Sequence, residues 1–429
     1  MQRLDTRDLN FAEAFSALLA DQRELSQDVT DVVAAIIADV RKRGDAAVAE
    51  YTKRFDRFDL GAVPARLRPE EIAAARAAVS NEAIESLAFA RDRIAAFHER
   101  QRPDDVRYVD DAGATLGWRW TAVSSVGLYV PGGLAAYPSS VLMNAVPAKV
   151  AGVKRIVMVV PAPDGVIAPI VLAAADLAGV DEIYRIGGAQ AIAALAYGTE
   201  TIKPVDKIVG PGNAYVASAK RQVFGAVGID LVAGPSEVVI VADGTADPEH
   251  VAADLLAQAE HDEAAQSILI TDDAMLADDV AAAVEAQLAT LPRREVATAS
   301  WRNHGAIIKI GELDEAIDLV DRLAPEHLEL AVSDPDALAG SITHAGAIFL
   351  GTQTPEAIGD YVAGTNHVLP TSRSARFSSG LSVLDFMKRT TLLGVGRGGL
   401  ETLGGHAMTL AATEGLDAHR ISIARRLER

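Results

Sequence analysis

Val126-Gly127-Leu128-Tyr129-Val130-Pro131-Gly132-Gly133 is a short apolar run that ends in glycine, and the arrangement recurs downstream. β-rich runs at Arg155 to Val160, Glu182 to Ile186, Lys207 to Val209 and Val238 to Val241 alternate with Ala-rich stretches of helical character. Strands separated by helices are the mark of a parallel α/β sheet, so Val126 to Val241 reads as one. Three of the strand ends carry glycine loops: Pro131-Gly132-Gly133, Gly187-Gly188-Ala189-Gln190 and Gly210-Pro211-Gly212-Asn213. Ligands of open α/β sheets sit beyond the carboxyl ends of the strands, where glycine lets backbone approach closely, and these loops are binding candidates. Connections of this kind also carry glycine for turn geometry alone.

After Val241 a second α/β set begins, with a helix opened by Asp247 as N-cap and Pro248 at its first position, running to about His261. Further strands are expected at Ser267 to Thr271, Ala306 to Ile310, Leu328 to Val332 and Ala347 to Leu350. Upstream, Asn10 to Arg102 has helical periodicity, and Val106 to Tyr108 with Leu116 to Trp120 reads as a hairpin turning at Asp110-Asp111-Ala112-Gly113. From about Ser382 to Arg429 the chain reads as helical again, with glycines crowded between Gly394 and Gly405.

With 429 residues, 49% of them hydrophobic, the chain can bury two or three domains without disulfide or metal support. A formal net charge of −19 argues against nucleic-acid and anionic-membrane partners. Apolar runs are too short to span a bilayer and no signal segment is evident, so a soluble cytoplasmic protein is expected. There is no cysteine, which excludes thiolate nucleophiles, Fe–S clusters and cysteine zinc sites. An aldehyde oxidised here cannot pass through an enzyme thioester and must add water.

Leu323-Ala324-Pro325-Glu326-His327-Leu328-Glu329-Leu330 can bring an acid and a base together. Pro325 ends the helix expected from Glu312 to Leu323, so Glu326 and His327 fall in a turn, where neighbours can face one cleft. The same pair also reads as a solvated surface ion pair. Asp254, Gln258 and His261 form a polar stripe on the helix from Asp247 that could hold a metal or simply face solvent. Asp360 follows the helical start Thr354-Pro355-Glu356, and His367 comes beyond Gly364. In Glu414-Gly415-Leu416-Asp417-Ala418-His419 a helix break at Gly415 could turn Glu414 and His419 to one point. Gly394-Val395-Gly396-Arg397-Gly398-Gly399 satisfies the dinucleotide fingerprint literally, but too little chain follows to complete such a unit, and it reads as a flexible connector.

These motifs resemble those of the histidinol dehydrogenases, zinc- and NAD-dependent enzymes of histidine biosynthesis, over nearly the whole chain. The matching pieces are Tyr129 to Gly133, Gly187 to Ile192, Gly210 to Ala214, Ala233-Gly234-Pro235-Ser236-Glu237, Gln258-Ala259-Glu260-His261, Pro325 to His327 and Glu414 to His419. The resemblance implies one zinc per subunit held by Gln258, His261, Asp360 and His419. It implies substrate contacts from Ser236, His367 and Glu414 besides His327 and the zinc ligands, and NAD contacts from Tyr129, Gln190 and Asn213. His327 would be the general base and Glu326 would activate water, in a four-electron oxidation of L-histidinol to L-histidine through the aldehyde. The rival readings are an oxidoreductase of other small polyols and a zinc-stapled binding protein. The expected fold is two Rossmann-like α/β domains, one discontinuous, with helical extensions at both ends. The expected boundaries are 1–22 as a helical N-terminal extension, 23–128 with 237–380 as the zinc and catalytic domain, 129–236 as an inserted NAD-contacting domain, and 381–429 as a helical region. That last region would complete the partner's site in an intertwined homodimer.

Overall fold

The computed structural model describes residues 1–20, 27–132, 136–232 and 234–428. Among the described residues fourteen strands follow in chain order: β1 (Gln2–Asp5), β2 (Val106–Val109), β3 (Ala114–Ala122), β4 (Ser125–Tyr129), β5 (Arg155–Val159), β6 (Glu182–Tyr184), β7 (Lys207–Val209), β8 (Gly228–Ile229), β9 (Glu237–Ala242), β10 (Gln266–Thr271), β11 (Ala306–Lys309), β12 (His327–Ala331), β13 (Ala347–Leu350) and β14 (Met387–Val395). They build two parallel sheets and a small antiparallel one.

The five-stranded sheet has the order β6-β5-β4-β7-β8. Alternate residues of its strands serve two helical layers, which is why β4 to β7 are apolar beyond their first residues. Val126, Leu128, Ile156 and Met158 pack with the helices Asn81–Glu99, Pro138–Ala151 and Pro169–Ala178. Tyr129, Val157, Val159 and Ile208 pack with Gln27–Arg43, Gly188–Tyr197 and Ala214–Val223. Each fully buried Val, Leu or Ile stabilises this core by about 1.5–3 kcal/mol. The helices of residues 27–99 thus cover the five-stranded sheet, not the sheet of 237–350 to which the expected discontinuous domain assigned them. Their apolar faces are what closes that sheet on both sides.

The six-stranded sheet has the order β1-β11-β10-β9-β12-β13 and is parallel throughout. Val238, Ile240 and Leu269 face the helices Pro248–Ala259, Ala274–Leu288 and Arg294–His304, while Val239, Ile268, Leu328 and Leu330 face Glu315–Leu323 and Phe11–Ala20. The segment Asp230 to Ser236 joins the carboxyl end of β8 to the amino end of β9.

Two expectations at the termini are corrected. Within 1–22, only Phe11–Ala20 is helical, residues 21 and 22 lie outside the described residues, and Gln2–Asp5 is an edge strand beside β11. Four residues are too few for a strand period to declare itself. Within 381–429, Met387–Val395 is not helical but a nine-residue strand antiparallel to β3, adding to the expected hairpin of β2 and β3. Its partner is remote in sequence, so no local pattern announced it. The glycine motif is neither nucleotide loop nor connector: Gly394 lies in β14, Gly396 caps the helix Arg397–Thr413, and Gly399 sits where a Cβ would come within 3.0 Å of the Gly113 carbonyl.

Candidate active site

The helix Glu315–Leu323 ends at Ala324, whose φ of 46° and ψ of 59° are left-handed although it is not glycine. Pro325 disfavours the right-handed helical region for the residue before it, and the left-handed turn costs about 1–2 kcal/mol. The turn delivers Glu326 and His327 to the amino end of β12. His327 is the first residue of the strand itself and not a turn residue, as the sequence had suggested, with Glu326 immediately before it. Gly346 seals this corner, since a Cβ there would lie 2.5 Å from the Glu326 carbonyl.

Around these two residues the fold gathers acidic and imidazole groups. Glu326, His327, Glu329 and Glu356 are 6%, 4%, 3% and 2% exposed, so they form an interior cluster and the surface-pair reading fails. His327 Nδ1 lies 3.1 Å from the Glu237 carbonyl oxygen, 3.7 Å from Glu326 Oε2 and 3.8 Å from Glu356 Oε2. A carbonyl only accepts, so the proton is assigned to Nδ1, and Nε2 is the bare basic nitrogen. Nε2 is buried without a hydrogen-bond partner and lies 3.8 Å from Asp360 Oδ1. Glu326 Oε2 accepts the Glu237 N–H at 3.0 Å, and His367 Nδ1 sits 3.1 Å from the Asp360 carbonyl.

Burial sets the protonation of the cluster. It raises Glu326 well above the usual carboxylate range, against the hydrogen bond from Glu237, and raises Glu356 for the same reason with Asp360, Glu329 and Glu326 adding repulsion. Asp360 is pushed up to about 7 by burial. Burial lowers His327 to about 3 and His367 to about 4, so both imidazoles are neutral at physiological pH. His261 is exposed by surface area, yet enough protein surrounds its ring for desolvation to lower its pKa, and its charge would be felt by His327 and His367.

One atom each from His327, Glu356 and Asp360 lies within 4.8 Å of the others, close enough for a shared cation. Gln258, fully buried, sits against Glu356. With its amide nitrogen towards Glu356, Gln258 donates to that carboxyl group, and its oxygen meets the Glu237 N–H at 3.2 Å. Of the expected ligands, Gln258, His261 and Asp360 therefore face one region. Asp254 does not join them; it hydrogen-bonds to Glu329 instead. Glu414 and His419 are exposed on the C-terminal helices, and among the described residues no hydrogen bond or ion pair links them to the cluster.

The expected dinucleotide residues stand at or just beyond the carboxyl ends of β4, β6 and β7 of the five-stranded sheet. Tyr129 closes β4, with its hydroxyl accepting the Gly188 N–H at 3.1 Å and its pKa pushed up to about 12 by burial. Gln190 is buried in the first turn of Gly188–Tyr197 and its Oε1 has no partner. Asn213 is exposed and caps Ala214–Val223, its Oδ1 accepting from Tyr215 and Val216. Gly133 and Ala233, from two of the sequence motifs, lie outside the described residues. Ser236 is half-buried just before β9.

Two residues were missed. The sequence marks Glu356 only as part of a helix start, and Glu329 only as part of the strand Leu328 to Val332. In a parallel sheet covered on both faces no outward position exists, which is the signal that could have placed Glu329 in the interior.

The model of the histidinol dehydrogenase family matches residues 19–427. The histidinol dehydrogenase of Rhodospirillum rubrum is 65% identical over all of this chain and 99% of its own, and that of Mesorhizobium japonicum is 63% identical over 98% of each. The crystal structure of histidinol dehydrogenase from Elizabethkingia anophelis superposes with a TM-score of 0.95 at 38% identity, covering 100% of this chain and 98% of that one.

Proposed function

The chain belongs to the histidinol dehydrogenase family, and from that premise we propose that it oxidises L-histidinol to L-histidine through L-histidinaldehyde in the cytoplasm. The observation that carries the chemistry is the bare, buried Nε2 of His327 beside Asp360, with Nδ1 tied to the Glu237 carbonyl.

When bound, NAD supplies the hydride acceptor, and zinc supplies a Lewis-acidic point that orients the substrate's imidazole and amine. Gln258, His261 and Asp360 offer the oxygen and nitrogen donors that zinc accepts. His327 is left out of that set for a chemical reason, because an imidazole nitrogen bound to a cation cannot also take a proton. His327 Nε2 removes the alcohol proton as the carbon gives up its hydride, and does the same for the hydrated aldehyde. Glu326, in its ionised form, takes a proton from the water that hydrates the aldehyde, and the proton affinity that burial gives it favours that transfer. Ser236 and His367 contact the substrate, while Tyr129, Gln190 and Asn213 contact NAD from their strand ends. His419 of the partner subunit completes the zinc set and Glu414 of the partner subunit the substrate contacts, in an intertwined homodimer with one zinc per subunit. What supports that exchange is the exposure of both residues together with Leu403, Leu410, Leu416 and Ile421 on the same arm.

The test is NADH formation from L-histidinol with and without a zinc chelator. NADH formed from histidinol and abolished by the chelator supports the reading. Turnover of other polyols but not of histidinol, or no turnover with zinc bound, rejects it in favour of a paralogous oxidoreductase or a zinc-stapled binding protein.

A further inference from the structure

Lys220 and Asp230 form an ion pair with side chains only 2% and 1% exposed. Removing two charges from water costs several kcal/mol per ion, and attraction repays this only when geometry is fixed and the remaining hydrogen bonds are made. Here the remaining bonds converge on a single residue. Lys220 Nζ donates to the Gly210 carbonyl at 2.8 Å, and Asp230 Oδ2 accepts the Gly210 N–H at 2.8 Å.

Gly210 has a φ of +111°, and a Cβ on it would lie 2.2 Å from the Tyr129 carbonyl oxygen. No side chain can anchor it, so its position depends on its two backbone groups, and the buried pair holds both. Three residues on, Asn213 is fixed by its cap to Ala214–Val223, which spends its oxygen and leaves its amide N–H groups free on an exposed residue. A pair that served stability alone could join the helix to the end of β8 anywhere along its length; this one grips the loop that leads from β7 into that helix.

We propose that Lys220 and Asp230 are positioning residues for the dinucleotide: by clamping Gly210 they set the loop Gly210–Asn213 and hence the affinity for NAD, without touching it. This rests on the reading of that loop as an NAD contact.

The experiment uses the zinc-loaded enzyme. Lys220→Met combined with Asp230→Asn removes both charges at once, so no lone ion is left buried, and keeps an acceptor for the Gly210 N–H. The KM for NAD should rise about tenfold, the equivalent of one lost hydrogen bond and a loosened loop. NADH binding followed by fluorescence without histidinol should weaken in parallel, while the KM for histidinol and the zinc content stay within about twofold. Asp230→Glu, which keeps the buried charges paired but displaces the acceptor of the Gly210 N–H, should raise the KM for NAD about threefold and carries the test if the double variant is insoluble. A lower melting temperature with unchanged NAD and NADH affinity would reduce the pair to a structural staple and overturn the proposal. Asn213→Ala is measured alongside. If it raises the KM for NAD and the pair variants do not, the proposal falls and the NAD reading stands; if none of them changes it, both fall.

Discussion

Replacing His327 with Asn removes one ring nitrogen and keeps the other position. The Asn amide can reproduce the hydrogen bond that Nδ1 makes to the Glu237 carbonyl at 3.1 Å, so β12 loses nothing that holds it in register. What disappears is Nε2, the atom without a partner. Removing a positioned general base costs about a hundredfold to ten-thousandfold in rate, or about 2.7–5.5 kcal/mol of barrier. The loss should fall on kcat for both hydride transfers, because the same nitrogen serves the alcohol and the hydrated aldehyde. Stopped-flow NADH formation, started from histidinol and separately from the aldehyde, resolves the two steps. Glu326→Gln should slow the sequence from alcohol more than oxidation of aldehyde supplied already hydrated. Zinc content measured on the same His327→Asn protein should be unchanged, since Gln258, His261 and Asp360 remain. A rate loss below about tenfold refutes the base assignment, and loss of zinc would show that the cation uses the His327, Glu356 and Asp360 grouping instead.

Three further outcomes are expected. Above about pH 6.5 the buried histidines are neutral folded or unfolded, while Asp360 holds its proton to about 7 and Glu326, Glu329 and Glu356 hold theirs well above the usual range only in the folded state. The folded state then binds more protons, so the melting temperature of metal-free protein should fall from about pH 6.5 to 8, and added zinc should flatten that slope; a rising melting temperature would contradict the buried cluster. Mixed dimers of His261→Ala and His419→Ala chains should recover activity, because shared sites place both lesions in one site and leave the other intact; no recovery from proven heterodimers would assign each site to one chain. Gly396→Ala should leave the KM for NAD unchanged, since nothing lies within 4 Å of the added methyl and the residue caps the helix Arg397–Thr413 with a φ of −80° that alanine adopts freely; a raised KM would restore the fingerprint to a nucleotide role.

Strands that carry their own pattern were legible: Lys207–Val209 and Ala347–Leu350 stand where the apolar runs predict. Glu326, His327, Gln258 and His261 stood out as polar groups in suggestive places, but each kept a solvent-facing alternative, and it was the resemblance of their motifs that gave them roles. What stayed hidden depends on distance in sequence. The burial of Glu329 follows from helices on both faces of its sheet, and β14 follows from pairing with β3. The allocation of residues 27–99 to one sheet over the other follows from which apolar faces meet, which periodicity alone does not specify.

The pairing of β14 with β3 also sets a timetable. Met387 lies opposite Ala122, so 387 − 122 = 265 residues must be made after β3 before its second edge can be covered. At about 5–20 residues per second that interval is on the order of 10–50 s. Throughout it the nascent chain carries a strand with open hydrogen-bonding groups, the kind of edge on which neighbouring polypeptides join. The seven residues Thr115 to Thr121 include Gly117, which admits no side chain because Val106 passes too close, and Arg119, which is exposed. A charge and a glycine in the middle of an unpaired edge discourage another strand from adding to it while its own partner is still being synthesised.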